Sequence, residues 1–572
     1  MGLNSIGNPI HQPNPDVGRR QSSTDSEEDI EEESVALTLD HFGNGTIQGK
    51  QTFRNRFWVA ESGYKPGGPV FIYDNGESDA ETGAMFRLTG STSFFKQLVD
   101  EFGGIGIVWE HRYYGRSLPV KIGLDTPPEA FKYLTTEQAL ADVKEFASSF
   151  SRPNFPDVDL TPKGTPWIFL GGSYPGMRAV FMRKFYPETI FASYASSAPV
   201  QASVVMNYYF DTVARGMRKY GWGNCTEDIH AAIRYMDRIM VDPAKSSTLK
   251  EDFLGRRAAN NTNAAFADAL TSIFALWQSY GVEGGPYSLR SFCNWISTDP
   301  ATNQTAPARG WAATKGPQFT VDRWSKWANF KDVVNINLYT ECEGVRNSSE
   351  TTPDCDLNLP FPEPNYISWV WQYCSEWGFL QYANYGPNQL VSSWNDLKHQ
   401  QDICNRQFPE GYKNGLLPEW PNMERANRHF GGWSTRPSNV YWTDGEFDPW
   451  RTLSPLSGEW FSPGFNSTQA IPKCGESTGE GGPVFGMVLK NAQHCYDLRI
   501  PSVPDSDVSR GHFTNALREW LKCWRPTPME GVSDGQNSTK SPPGRETLIH
   551  LPPFRNHSGL GVSILSPRRG GA

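Results

Sequence analysis

The sequence predicts an α/β fold: a parallel sheet with helices on both faces, interrupted by a large helical insertion. Three observations carry this. Short apolar runs end in turn residues, an amphipathic helix pattern separates two of them, and between about 205 and 430 the pattern changes to amphipathic helices and loops before a last strand returns. The runs are PVFIYDNG (69–76), GIGIVWEHRYYG (104–115), PWIFLGG (166–172) and SNVYWTDG (438–445). Each is β-branched or aromatic without polar alternation, as expected of strands buried on both faces. Between the second and third, TTEQALADVKEFASSF (135–150) places Ala139, Leu140, Val143 and Phe146 at helical spacing, with Thr135 or Thr136 as its cap. HFTNALREWLKCW (512–524) supplies a closing helix, with His512 at its start.

The boundaries follow from composition. Residues 1–34 include DSEEDIEEE and read as a disordered acidic arm. Residues 35–204 and 431–525 form the two parts of the α/β domain, and 205–430 form the helical insertion. Residues 526–572, broken by proline and polar residues, read as a mostly disordered tail.

Composition excludes several classes of function. In 572 residues there are 53 Lys plus Arg against 62 Asp plus Glu, a net charge of −9, so no basic field exists to neutralise nucleic-acid phosphates. No apolar run approaches the ~20 residues of a membrane span. The nine cysteines all follow residue 224, and none has the paired spacing of a zinc site. Their confinement to one part of the chain suits disulfides in a secreted or vacuolar protein, with at least one thiol left over. Glycosylation triplets at Asn44, Asn224, Asn260, Asn303, Asn347, Asn466, Asn537 and Asn556 point the same way, although the first twenty residues lack the apolar stretch of a secretory signal.

The chemistry centres on WIFLGGSYPGMRAVFMRKFYP (167–187). A buried strand runs through Gly171-Gly172-Ser173 into a helix expected from about Met177 and stopped by Pro187. A serine at the apex of a strand, tight turn and helix is the setting of a nucleophile elbow, where the backbone N–H of Tyr174 would face a developing oxyanion. Pro175 breaks the literal G-x-S-x-G pattern, and glycine arrives one residue later at Gly176. Proline is compatible with a helix's first turn. A serine nucleophile needs a base, and in this fold class the partners follow in the order Ser, acid, His. Of the histidines after the last strand, His550 and His557 fall in the tail and His512 in the closing helix, leaving His494 in the loop NAQHCYDLR. The acid lies among Asp444, Glu446 and Asp448 of TDGEFDPW, and position does not choose among them.

In order along the chain, LDHF (39–42), GPVFIYDNGE (68–77), EHRYYGRSLP (110–119), YLTTEQALAD (133–142), GGSYPGM (171–177), SSAPV (196–200), CSEWGF (374–379), DGEFDPW (444–450) and AQHCYDLR (492–499) resemble a serine peptidase family. It is the family containing lysosomal Pro-X carboxypeptidase, dipeptidyl peptidase II and fungal acid prolyl endopeptidases. The resemblance implies an α/β-hydrolase fold with a large inserted helical cap domain, and cleavage after proline or small residues, usually near a peptide terminus. It carries the nucleophile to Ser173, the acid to Asp448 and the base to His494. Pro175, Arg116 and Cys495-Tyr496 depart from the family's usual residues.

On this reading Tyr174 and Gly76 of the DNGE loop supply the oxyanion donors. Met177 and Trp450 form an apolar wall for a pyrrolidine ring, and Glu77 and Trp377 are further substrate-binding candidates. The family's pairing across a similar span also implies a Cys374–Cys404 disulfide. Proline-containing peptides are the expected partners, the sequence leaves open whether the chain forms a homodimer, and no cofactor or metal is expected. The competing readings are a catalytically impaired peptide-binding homologue, which Pro175 would favour, and an ester hydrolase of the same fold.

Overall fold

A computed structural model describes residues 30–43, 51–281, 285–342 and 355–527. The acidic arm before residue 30, the tail from 528, His550 and His557, and the triplets at Asn44, Asn347, Asn537 and Asn556 lie outside the described residues.

The four expected strands are present: Val70–Asp74 (β3), Ile105–Trp109 (β4), Trp167–Gly172 (β5) and Val440–Gly445 (β7). Between and around them stand Glu32–Thr38 (β1), Thr52–Ala60 (β2), Ala192–Ser196 (β6), Ser467–Thr468 (β8) and Val484–Leu489 (β9). Together they make one nine-stranded sheet ordered β1-β2-β4-β3-β5-β6-β7-β9-β8. Alternate residues of the central strands enter two separate cores: Ile72, Ile107 and Phe169 face one, while Phe71, Val108 and Ile168 face the other. Double-sided burial is why these strands are continuously apolar.

The sheet departs from the expected all-parallel order at one edge, where β1 pairs with β2 and β2 with β4 antiparallel. Both edge strands carry charge, so they lack the apolar signature. Arg56 of β2 is buried against Glu110 (Nη2–Oε1 2.6 Å), and Glu110 also takes the Ser117 hydroxyl at 2.6 Å. Pairing with β2 also orders β1 from Glu32, inside the stretch expected to be disordered, because the ladder satisfies backbone groups that the acidic side chains leave free.

The helix Thr136–Ser148 is capped by Thr135, whose hydroxyl accepts the Gln138 N–H at 3.3 Å. The closing helix begins at Pro504, eight residues earlier than expected, so His512 stands mid-helix. Its first turn holds Pro504, Asp505 and Asp507, a start signal that outweighs the apolar stripe beginning at Phe513. Helices from Tyr208 to Phe430 form the insertion. Four disulfides are present: Cys225–Cys293, Cys342–Cys355, the expected Cys374–Cys404, and Cys474–Cys523, which leaves Cys495 as the free thiol. This strand order, with the insertion between β6 and β7, is that of an α/β-hydrolase.

Candidate active site

Ser173 sits where β5 gives way directly to the helix Tyr174–Phe185. Its backbone has φ 68° and ψ −130°, a conformation that costs a non-glycine residue about 1–3 kcal/mol and is held by its surroundings. Ser173 N–H donates to Ser196 O of β6 at 2.9 Å. Two glycines make the turn fit. A Cβ on Gly171 would stand 2.2 Å from the Pro175 carbonyl oxygen, and one on Gly176 would stand 2.6 Å from Ser196 O. Pro175 occupies the second helical position, where no intrahelical acceptor awaits an N–H, so the departure from the motif leaves the elbow's hydrogen bonds intact.

The helix starts at Tyr174, three residues earlier than expected. Met177 therefore lies within the helix, its N–H bonded to Ser173 O at 3.1 Å and its side chain fully buried in the core. This corrects its assignment to the substrate wall. Trp377 is corrected likewise: it is fully buried, stacks between Phe181 and Phe379, and donates its indole N–H to Thr136 Oγ1 at 3.2 Å. Trp450 is buried too, but it lines a cavity otherwise walled by residues of the insertion, and its ring centroid lies 6.3 Å from that of His494.

The geometry separates the three acids that position alone left open. His494 Nδ1 is 3.0 Å from both carboxylate oxygens of Asp448, and Asp448 also accepts the Trp450 N–H at 2.9 Å. Asp444 instead accepts the Ser454 hydroxyl, and burial, with Asp448 nearby, pushes its carboxyl well above the usual range. Glu446 accepts the Asn491 N–H at 2.9 Å. Burial disfavours charge on His494, but the Asp448 carboxylate and the neighbouring Cys495 outweigh it and carry the imidazole well above its ordinary pKa. With Nδ1 committed to Asp448, His494 Nε2 is buried without a hydrogen-bond partner among the described residues. This is the nitrogen a general base uses.

Asp497, three residues on, anchors this loop to the sheet and was not singled out in the sequence. Fully buried, it accepts hydroxyls from Tyr194 (2.6 Å), Ser196 (2.6 Å) and Thr443 (2.7 Å), tying the loop to β6 and β7. Cys495 completes the fit, since a Cβ on Gly172, the residue before Ser173, would meet its Sγ at 2.8 Å.

On the opposite side lies the DNGE loop. Arg178 of the elbow helix, fully buried, pairs with Asp74 (Nη1–Oδ2 2.5 Å) and pins the helix to the end of β3. Asp74 Oδ1, itself fixed by Arg178, accepts the Gly76 N–H at 3.2 Å, so the donor expected to serve the oxyanion is engaged in this structure. Asn75 N–H is engaged as well, with Trp109 O at 3.0 Å. The Glu77 N–H meets its own carboxyl, which, unlike Asp74, is not held by a salt bridge among the described residues, so it is the loop N–H that a turn of one side chain would free. Burial, with Asp74 adding to it, pushes the Glu77 carboxyl up to about 8, against the opposing pull of its own N–H, His494 and Arg178. Glu77 is therefore neutral across the acid range. Tyr174 at the first helical position has a free N–H by its place in the helix. Its phenol is held by Gln372 Nε2 (2.8 Å), His111 Nε2 (3.2 Å) and Thr136 Oγ1 (3.3 Å). Burial keeps His111 neutral, with its pKa well below the ordinary value.

Comparison with known proteins adds a family. The profile described as Serine carboxypeptidase S28 matches residues 37–461. A "Probable extracellular serine carboxypeptidase" of Arthroderma benhamiae is 29% identical over 73% of this chain, the match spanning 58% of that relative's length. "Thymus-specific serine protease" of Mus musculus is 26% identical, covering 83% of this chain and 84% of its own. "Lysosomal Pro-X carboxypeptidase" of Bos taurus is 23% identical, covering 85% and 87%.

Proposed function

The chain belongs to the serine carboxypeptidase S28 family and is a serine peptidase, and from that premise we propose that it cleaves peptides through an acyl-enzyme on Ser173, with His494 as base and Asp448 as acid. The observation that carries this reading is the buried Asp448–His494 pair with Nε2 unpartnered, on a loop packed beside the elbow of Ser173. In acylation His494 Nε2 takes the Ser173 proton as Oγ attacks the carbonyl carbon. The imidazolium, held by Asp448, then returns that proton to the leaving amine. A water repeats the sequence and frees Ser173. The N–H groups of Tyr174 and Glu77 are the donors best disposed to a carbonyl oxygen turning into an oxyanion.

A preference for proline on the acyl side is supported by Trp450, whose indole face borders both His494 and the cavity, and by the printed name of the bovine relative. A pyrrolidine ring has no N–H to satisfy and packs on such a face. The insertion covers the site as a cap domain. The four disulfides, together with relatives named as extracellular or lysosomal, support a secreted or vacuolar protein. The test is covalent labelling. A fluorophosphonate should attach to Ser173 in the wild type and fail to attach to a folded Ser173→Ala variant, which should also lose hydrolysis of prolyl peptides. Labelling of both proteins alike, or retained hydrolysis in the variant, overturns the assignment.

A further inference from the structure

The strained turn at Ser173 is followed by a side chain that reaches into the insertion. Tyr174 is buried, and its phenol meets Gln372, the last residue of the helix Pro364–Gln372. That helix lies against the α/β domain along one stripe, Asn365, Ser368, Trp369 and Gln372, at the i, i+3, i+4, i+7 spacing. Asn365 Oδ1 accepts the Gly115 N–H at 2.8 Å, the Ser368 hydroxyl donates to Tyr113 O at 2.9 Å, and the Trp369 ring stands 5.9 Å from that of Tyr174. One face of the insertion is thus fixed to the loop after β4 and to the elbow together.

The hydrogen bonds at this junction run in one direction. His111 Nδ1 is 2.6 Å from Arg112 O, and a carbonyl only accepts, so Nδ1 carries the proton. Burial first, and then Arg178, keep the imidazole neutral, which leaves Nε2 as an acceptor. It receives the Tyr174 O–H at 3.2 Å. Thr136 Oγ1, 3.3 Å from the same phenol, gives its own proton to Glu376 Oε2 at 2.9 Å. The Tyr174 oxygen therefore accepts from Gln372 Nε2 at 2.8 Å, while Gln372 Oε1 accepts the Tyr114 hydroxyl. Gln372, Tyr114 and His111 are fully buried, so the amide is satisfied at both ends by phenols.

We propose that Gln372 is a positioning residue for the elbow: by holding the Tyr174 phenol it fixes the Tyr174 N–H toward the oxyanion, so that the insertion helps set the rate of the chemical step. The proposal rests on the peptidase reading above. Ser173 holds φ 68° and ψ −130°, and a conformation of that kind persists only where its surroundings over-determine it. The Tyr174 N–H is needed by the oxyanion and Pro175 has none, so neither N–H ties the first turn of the helix to its surroundings. The phenol does so instead. A donor placed in advance needs no reorganisation as charge develops, and a displacement of about 1 Å in a positioned group costs up to about 10²-fold in rate.

The test compares the wild type with Gln372→Met, which keeps the side chain's length and removes both hydrogen bonds, and with Tyr174→Phe, which keeps the ring and loses the hydroxyl. On a fluorogenic prolyl peptide each variant should lower kcat about 10–100-fold and leave KM within about twofold. A peptide aldehyde ending in prolinal adds to Ser173 and places its oxygen where the oxyanion forms, so its affinity should fall by the same factor as kcat. The double variant should cost no more than the worse single one, because both substitutions break the same bond. A merely structural role would lower the unfolding temperature while the folded protein kept its kcat and its aldehyde affinity. That result overturns the proposal, as does a loss confined to KM or a double variant whose losses multiply. Should Gln372→Met not fold, Tyr174→Phe carries the same kinetic readouts, and Gln372→Asn, which draws the amide back by one methylene, carries them if neither folds. Fluorophosphonate labelling keeps the two readings apart: a wild type labelled at Ser173 beside a Gln372→Met variant with full kcat refutes the positioning role alone, whereas a wild type that neither labels nor hydrolyses refutes the peptidase reading.

Discussion

Pro175 fills the space that a side chain at Gly76 would need: a Cβ on Gly76 would stand 2.3 Å from Pro175 Cγ, and Gly76 holds φ 69°. The residue that departs from the elbow motif is thus matched by a glycine on the neighbouring loop. The two loops flanking Ser173 therefore pack as one unit. Gly76→Ala should lower stability by about 1–3 kcal/mol through overpacking at a left-handed position. It should also lower kcat, because the displaced loop carries the Glu77 N–H. Thermal unfolding and steady-state kinetics check both effects, and an unchanged kcat would place the oxyanion donor elsewhere.

Asp448→Asn should reduce kcat by roughly 10⁴-fold, because an amide cannot hold the imidazolium or enforce the Nδ1–H tautomer. Asp444→Asn should cost far less, since Asp444 is bonded to Ser454 and not to His494. Kinetics on the two variants, each checked for folding, would expose a reversed ranking and a misassigned acid.

The pH profile follows from His494. Its pKa is raised, so the imidazole is protonated and inactive as a base until the pH climbs past the ordinary histidine range near 6.5. The acid limb of kcat/KM should therefore stand above that range in the free enzyme. In Asp448→Asn, burial acts unopposed by the carboxylate and the limb should move to lower pH. A limb that stays in place would assign it to another group. The same shift favours the folded state below the unfolded pKa, and that contribution is lost as the pH rises through the folded value.

Glu77 gives the opposite sign. A buried carboxyl raised to about 8 keeps its proton when folded, whereas the unfolded chain releases it near 4.3. Stability should fall as the pH rises from about 4.3 towards 8 and then level off. Glu77→Gln, neutral at every pH, should remove that slope and be the more stable protein at pH 8. Unfolding midpoints in denaturant at pH 5 and pH 8 decide the matter, and parallel changes in both proteins would discount a raised carboxyl.

Trp450→Ala should lower kcat/KM for prolyl peptides by about 10–200-fold and affect alanyl peptides less, the scale of an apolar pocket contact. Because Trp450 also donates to Gln278, Trp450→Phe is the useful partner variant: it keeps an aromatic face while losing that bond and part of the ring volume. Equal losses on both substrates would make Trp450 a support of the Asp448 loop.

Much of this site was legible without coordinates, because its signals are local. A buried strand running through Gly171-Gly172-Ser173 into helix-forming residues states its own backbone path, and the order Ser, acid, His leaves few histidines to consider. The central strands announced themselves because burial on both faces makes them apolar throughout. The edge strand β2 did not, since Arg56 is buried only with Glu110 as its partner and no local pattern reveals that pairing. Position along the chain left Asp444 and Asp448, four residues apart, alike until the resemblance pointed to Asp448, and only the tertiary structure shows their contacts, one with Ser454 and the other with His494. It turned Met177 and Trp377 into the core and engaged Gly76 N–H with Asp74. It made Asp497 the anchor of the histidine loop. Sequence pattern determines which segments must be buried, whereas the direction of one side chain or one N–H depends on partners brought from hundreds of residues away, and those meet only once the chain has packed.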